Sequence, residues 1–105
     1  MLFVINVSYN LIAQNWIPVY RFSNGTATSF EHLYTINQNE GTGWKEEGIA
    51  FYVSDSQING TIPVYRLRPD GTPRLRLLTS SAIEKDHAIN NNYKDEGTLG
   101  YIFPS

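Results

Sequence analysis

The chain has 105 residues, no cysteine and a formal net charge of −2, which excludes disulfides and thiolate zinc sites and argues against a phosphate-backbone partner. An apolar fraction of 41% suits one folded domain over residues 1–105 and not a disordered segment. No run approaches the roughly 20 apolar residues of a membrane span, so neither nucleic acid nor membrane insertion is expected, although Arg66, Arg68, Arg74 and Arg76 form a local basic cluster.

Residues 1–7 are apolar but lack a basic leading region, and Asn6, Ser8, Asn10 and Gln14 interrupt the pattern, so they do not read as a signal peptide. Residues 2–7 read instead as the last strand of a partial unit covering 1–16. Ile17-Pro18-Val19-Tyr20-Arg21 comes next, and the same five residues return as Ile62-Pro63-Val64-Tyr65-Arg66, 45 positions later. Such an identity at a fixed offset marks an internal repeat. Strands are predicted over 19–22 and 64–67 from their branched and aromatic residues, with Pro18 and Pro63 at the strand starts. Turns are predicted at Asn24-Gly25 and at Pro69-Asp70-Gly71, and returning strands over 30–36 and 75–79.

A helix is predicted over 80–89: a serine N-cap leads it, and Ala82, Ile83, Ala88 and Ile89 can share one face, with His87 exposed. Asn90, Asn91 and Asn92 stop it. The first copy has 12 residues from Thr35 to Glu47 where the second has 17 from Thr79 to Glu96, so its helix shrinks to a turn or loop around Gly41-Thr42-Gly43. Glu40 and Glu84 each come five residues after a threonine. Each copy then closes with an aromatic-Lys-acid-Glu-Gly block, Trp44-Lys45-Glu46-Glu47-Gly48 and Tyr93-Lys94-Asp95-Glu96-Gly97, and a strand begins after the glycine. The expected fold is therefore mainly β. Two tandem β-β-(α)-β repeats of about 45 residues, 17–61 and 62–105, pack into a compact trefoil-like body with one short helix. A third unit is lost, unnecessary or supplied by a second chain, which makes a homodimer one solution.

Asn6, Asn24 and Asn59 each begin an Asn-x-Ser/Thr sequon. At Asn24 and Asn59 the next residue is glycine, and a tight turn is the better reading than a glycan acceptor.

These blocks resemble a tandem-repeat family of unknown function found in bacterial secreted multidomain proteins and in fungal proteins. Its pattern runs Pro-Val-Tyr-Arg, Asp-His-Phe-Tyr-Thr, a helix carrying Glu, then an aromatic, Glu-Gly-Ile-Ala and Tyr-Val. The match covers about residues 17–105. Family members often accompany glycan-active or cell-wall-active domains, so the resemblance implies an extracellular accessory role in carbohydrate binding. The His motif survives as Glu31-His32-Leu33-Tyr34-Thr35 in the first copy and becomes Leu75-Arg76-Leu77-Leu78-Thr79 in the second.

The candidate ligand-binding residues are Arg21, His32, Tyr34, Trp44, Glu47, Arg66, Tyr93 and Glu96. Arg21 with Glu47, and Arg66 with Glu96, can read sugar hydroxyls through a fork of donors and a carboxylate acceptor, or can be salt bridges that set strand register. Trp44 and Tyr93 can stack on a pyranose ring or pack in the core. His32 reads either as a structural histidine or as a ligand contact, and a metal there would need Glu31 or Glu40 as partner. No pair of acids stands out as a hydrolytic dyad, and no nucleophile or phosphate-cradling motif is present. The expected function is a non-catalytic, lectin-like module for a glycan or cell-surface polysaccharide, without cofactor or metal. The alternative is a structural or protein-interaction domain.

Overall fold

Both Ile-Pro-Val-Tyr-Arg segments lie in strands, as their branched and aromatic residues favour. A computed structural model describes residues 16–25, 30–71 and 75–104. They form β1 (Trp16–Gly25), β2 (Phe30–Thr35), β3 (Lys45–Ser54), β4 (Ile62–Pro69), β5 (Leu77–Thr79) and β6 (Tyr93–Ile102), with a 3-10 turn (Gln38–Gly41) before β3 and one helix, α1 (Ala82–Asn90), before β6. All pairings are antiparallel, in one sheet of order β2-β1-β3-β6-β4-β5. The first three strands and the last three thus have the same internal order, with the opening strand of each set between the other two.

The two halves meet at the centre, where β3 and β6 share a single paired position, Ser54 with Tyr101. Gly100 permits that seam. A Cβ there would lie 2.6 Å from Val53 Cβ and 2.7 Å from the Ser54 carbonyl, so only glycine lets the strands come this close. The sheet curls into an open half-barrel. Its curl brings β4 to the far edge strand: Arg66 Nη1 donates to the Tyr34 carbonyl at 2.7 Å, although β1, β3 and β6 lie between β2 and β4 in the sheet.

Period-two alternation sorts the side chains onto two faces. On the inner face Val19, Val53, Val64 and Leu99 form the core, with Ile17, Tyr34, Phe51, Leu78 and Ile102 packed around them. On the outer face Phe22 pairs across from Leu33, and Leu67 from Leu77. Phe22, Leu33 and Leu67 are buried. Gly41 of the 3-10 turn lies so close to the Phe22 ring that a Cβ would come within 2.5 Å of it. In the second half α1 packs on β4, β5 and β6. Fully burying a side chain such as Leu67 stabilises by about 1.5–3 kcal/mol, so each half needs its cover.

The repeated Glu-Gly has a geometric explanation. Tyr20 pairs with Ile49 and Phe22 with Glu46, so Arg21 faces two residues, Glu47 and Gly48. Tyr65 pairs with Thr98 and Leu67 with Asp95, so Arg66 likewise faces Glu96 and Gly97. Each is a β-bulge, which kinks the strand and re-aims a side chain. Gly48 and Gly97 hold φ of 96° and 93°, a left-handed conformation that glycine alone adopts freely.

Several expectations need correction. The helix runs from Ala82 with Ser81 as its cap, the Ser81 hydroxyl accepting from the Glu84 amide at 3.1 Å, but of its four apolar residues only Ala88 is buried. Ile83 is 83% exposed and Ile89 is exposed as well, because the short helix faces the sheet with Ala88 and with Lys85, whose Nζ lies 4.4 Å from the Tyr65 ring centre. Asn24 and Gly25 do not turn. They continue β1 opposite Glu31 and Phe30, and residues 26–29 lie outside the described residues. The strand after the Pro69-Asp70-Gly71 turn begins at Leu77, not 75. Pro18 and Pro63 lie inside their strands, one or two residues after the start. The sheet has two halves and not three, so no threefold, trefoil-like arrangement occurs among the described residues. The strand expected over 2–7 lies outside them, as does the sequon at Asn6. At Asn59-Gly60 the expected turn forms, with Gly60 at φ 92° and the Thr61 amide donating to the Ile58 carbonyl at 3.1 Å.

Candidate functional site

The bulges place a glutamate beside each repeated arginine. Glu47 Oε1 lies 2.8 Å from Arg21 Nε, and Glu96 Oε1 lies 3.0 Å from Arg66 Nε. Two more positions converge on each carboxylate. Ser23 hydrogen-bonds Glu47 and His32 Nε2 stands 3.4 Å from its Oε1. Around Glu96 the corresponding places hold Arg68, 3.4 Å from Oε2, and Arg76, donating to Oε1 at 2.7 Å. Ser23 faces His32 across β1 and β2, which explains why both reach the same acid.

Glu47 Oε1 takes its charge contacts from Arg21 and His32 without an aligned hydrogen bond, although it is buried. Burial pushes this carboxyl up, but the Ser23 hydrogen bond and the Arg21 charge outweigh it and hold it below the ordinary glutamate range. The Arg21 guanidinium is raised, first by its hydrogen bond with the Tyr34 side chain and then by the Glu47 charge.

The two arginines differ in how fully they are engaged. The Arg66 side chain is 12% exposed. Its Nη1 and Nη2 donate to Glu40 Oε1 and Oε2 at 2.8 and 2.7 Å, a two-pronged pair, and Nη1 also reaches the Tyr34 carbonyl. Burial works against the charge of Arg66, but Glu40 and Glu96 more than offset this. Glu40 is held below the ordinary range, chiefly by its hydrogen bonds from Arg66. Arg21, by contrast, is 43% exposed and has Glu47 and Tyr34 as its only partners among the described residues.

Arg21, Tyr34 and Glu47 form the polar end of an open concavity of about 510 Å³, whose other wall is Ile49, Phe51 and Leu78. Arg66, Glu96 and Glu40 line a second concavity of about 430 Å³ with Thr35, Asn37 and Asn39. A third, about 660 Å³ and mostly apolar, lies beside the first and is walled by Trp16, Phe51, Tyr52, Leu78 and Phe103.

Of the eight predicted site residues, Arg21, His32, Tyr34 and Glu47 come together, and Arg66 joins Glu96. Trp44 and Tyr93 do not join either group. Both are half-buried at the entry to β3 and β6, and neither lines any of the three concavities. His32 faces Glu47 and not the Glu31 or Glu40 that a metal site would have used, and no metal-holding group of His, Asp and Glu occurs among the described residues. His87 is exposed on α1. The residues missed were Glu40, Ser23, Phe51 and Leu78. Only Glu40 carried a signal, its five-residue spacing from Thr35. No described helix is long and apolar enough to cross a membrane.

No curated protein and no solved structure matches the chain. Residues 6–103 match the model of a domain of unknown function, DUF5648, and the chain belongs to that family.

Proposed function

We propose that this domain is a non-catalytic, extracellular carbohydrate-binding module built from two copies of one β-β-(α)-β unit, and that its site is the concavity at Arg21, Tyr34 and Glu47. The observation that carries this is the half-buried Arg21, which lies beside a carboxylate acceptor and opposite an apolar wall containing Phe51. A sugar offers that combination: hydroxyls for the donor and acceptor, and C–H faces for the ring. A volume of about 510 Å³ falls within the roughly 300–1,000 Å³ of small-ligand sites. The matched strand order and the paired bulges support the two-copy origin.

Binding without hydrolysis is favoured because Glu47 is, among the described residues, the only carboxylate lining that concavity, whereas glycoside hydrolysis uses two across the bond. Glu40 and Glu96, which do share a concavity, are both tied to Arg66. A glycan array with subsequent saccharide titration tests the proposal: binding that Arg21→Gln weakens is expected, and no binding by the wild type, or binding indifferent to that change, would overturn it. The second reading, a protein-interaction domain, is favoured by one observation, the neighbouring apolar concavity with its exposed Tyr52 and Phe103.

A further inference from the structure

The half-barrel contains its own example of what such an arginine binds. Arg66 and Arg21 occupy equivalent bulges, each with Nε on a glutamate from the opposite strand. On Arg66 the remaining Nη edge is filled by a second carboxylate, that of Glu40, held at two points. The counterpart of Glu40, by its spacing from the preceding threonine, is Glu84. Glu84 lies in the first turn of α1, where its amide donates to Ser81, and its side chain is exposed without an ion pair among the described residues. Besides Glu47, Arg21 has the neutral Tyr34 side chain and, among the described residues, no second carboxylate such as the one that closes the Arg66 site.

The charges allow one there. Glu47 opposes an incoming anion, but Arg21 already balances it, and His32 stands where Arg76 stands around Glu96. Around Arg66, two carboxylates coexist with Arg66, Arg68 and Arg76. The concavity leaves room beyond the guanidinium for a ring against Phe51 and Leu78.

We infer that Arg21 binds the carboxylate of an acidic saccharide, a uronate, in the way that Arg66 binds Glu40, and that each chain has one such open site. The carboxylate half of this inference stands on the Arg66–Glu40 pair alone, and the saccharide half rests on the proposed carbohydrate-binding reading. The test is titration, monitored by NMR, with methyl glucuronide, methyl glucoside and acetate against the wild type and Arg21→Gln. Glutamine at 21 can still donate to Glu47, and the amide spectrum of Arg21→Gln shows directly that the variant is folded.

The expected result is at least tenfold tighter binding of the glucuronide than of the glucoside, a difference that disappears in Arg21→Gln. Equal affinity for glucuronide and glucoside would overturn the carboxylate inference and leave the carbohydrate reading standing. Glucuronide no better than acetate, both lost in Arg21→Gln, would uphold the carboxylate site and remove the saccharide. Absence of all three interactions would end both. A gain of a second glucuronide equivalent in folded Glu40→Ala would further support the inference, since the Arg66 edge would then be open.

Discussion

Replacing Arg66 by methionine keeps much of the side-chain volume and removes every donor. Four contacts vanish together: the two-pronged pair with Glu40, the bond to the Tyr34 carbonyl and the ion pair with Glu96. Removing one partner of a buried charge pair costs about 3–5 kcal/mol. Glu40 and Glu96 remain 33% and 21% exposed and regain some hydration, so screening reduces the expected loss to about 2–3 kcal/mol. At about 4–8 °C per kcal/mol for a domain of this size, the melting temperature should fall by roughly 8–24 °C. Urea and thermal unfolding of Arg66→Met and Arg21→Met, side by side, provide the assay. Arg21→Met should lose less than Arg66→Met, because the Arg21 side chain is 43% exposed against 12% for Arg66 and contacts one carboxylate where Arg66 contacts two. Equal losses for the two variants, or no loss for Arg66→Met, would refute the assignment of Arg66 to the scaffold and Arg21 to the site.

Acid should weaken the fold through Glu40. Its folded-state value lies below the ordinary glutamate range, so its contribution is fully present above about pH 4.3 and is lost as pH falls through the folded value. Melting temperature against pH should therefore drop less steeply in Glu40→Gln than in the wild type, and identical acid limbs would contradict this. Gly100→Ala forces a Cβ against Val53 and the Ser54 carbonyl and should cost about 1–3 kcal/mol or more, read by urea unfolding; a neutral result would mean that the β3–β6 seam is looser than its geometry. Gly48→Ala meets no neighbouring atom but must hold φ of 96°, at a cost of about 1–3 kcal/mol. Gly48→Asn should cost less, because asparagine tolerates left-handed backbone, and the reverse order in thermal melts would disprove the bulge argument. Trp44→Ala should leave saccharide binding unchanged in titration, since Trp44 lines none of the concavities.

The repeated residues revealed what is local. Branched and aromatic strand residues, the Ser81 cap, the Asn59-Gly60 turn and the Arg–Glu pairing all depend on neighbours a few positions away or on one strand pairing. The hidden features depend on how the sheet closes. Nothing near Arg66 in sequence points to the Tyr34 carbonyl, because that contact exists only once β2 curls round towards β4. Leu78 looked like a degenerate tyrosine of the repeat; in the half-barrel it is the far wall of the Arg21 concavity. Ile83 misled for a related reason. Its spacing suits an amphipathic face, but α1 is short and covers the sheet through Ala88, so apolar periodicity overstated what the helix buries. Trp44 and Tyr93 shared the register of the Glu-Gly blocks without sharing their site, since the bulge turns only the residues inside it.

The difference between the two halves of the sheet has a physical origin in loop length. The first half crosses from Thr35 to Glu47 in 12 residues and the second from Thr79 to Glu96 in 17. Both crossings begin alike: Thr35 and Thr79 accept from the amides of Asn37 and Ser81, and Asn37 and Ser81 then cap the 3-10 turn and α1. In the short crossing the cap starts a single 3-10 turn, and Glu40 meets the guanidinium of the other half. In the long crossing the cap starts a nine-residue helix, and Glu84 sits in its first turn, where the helix dipole favours a carboxylate. The same acid at the same spacing thus satisfies an arginine in one half and a helix terminus in the other. An arginine satisfied from within can only hold the fold together. Where the longer crossing draws the acid away, the equivalent arginine has Glu47 as its one carboxylate among the described residues and stays 43% exposed, which is the difference on which the proposed recognition at Arg21 rests.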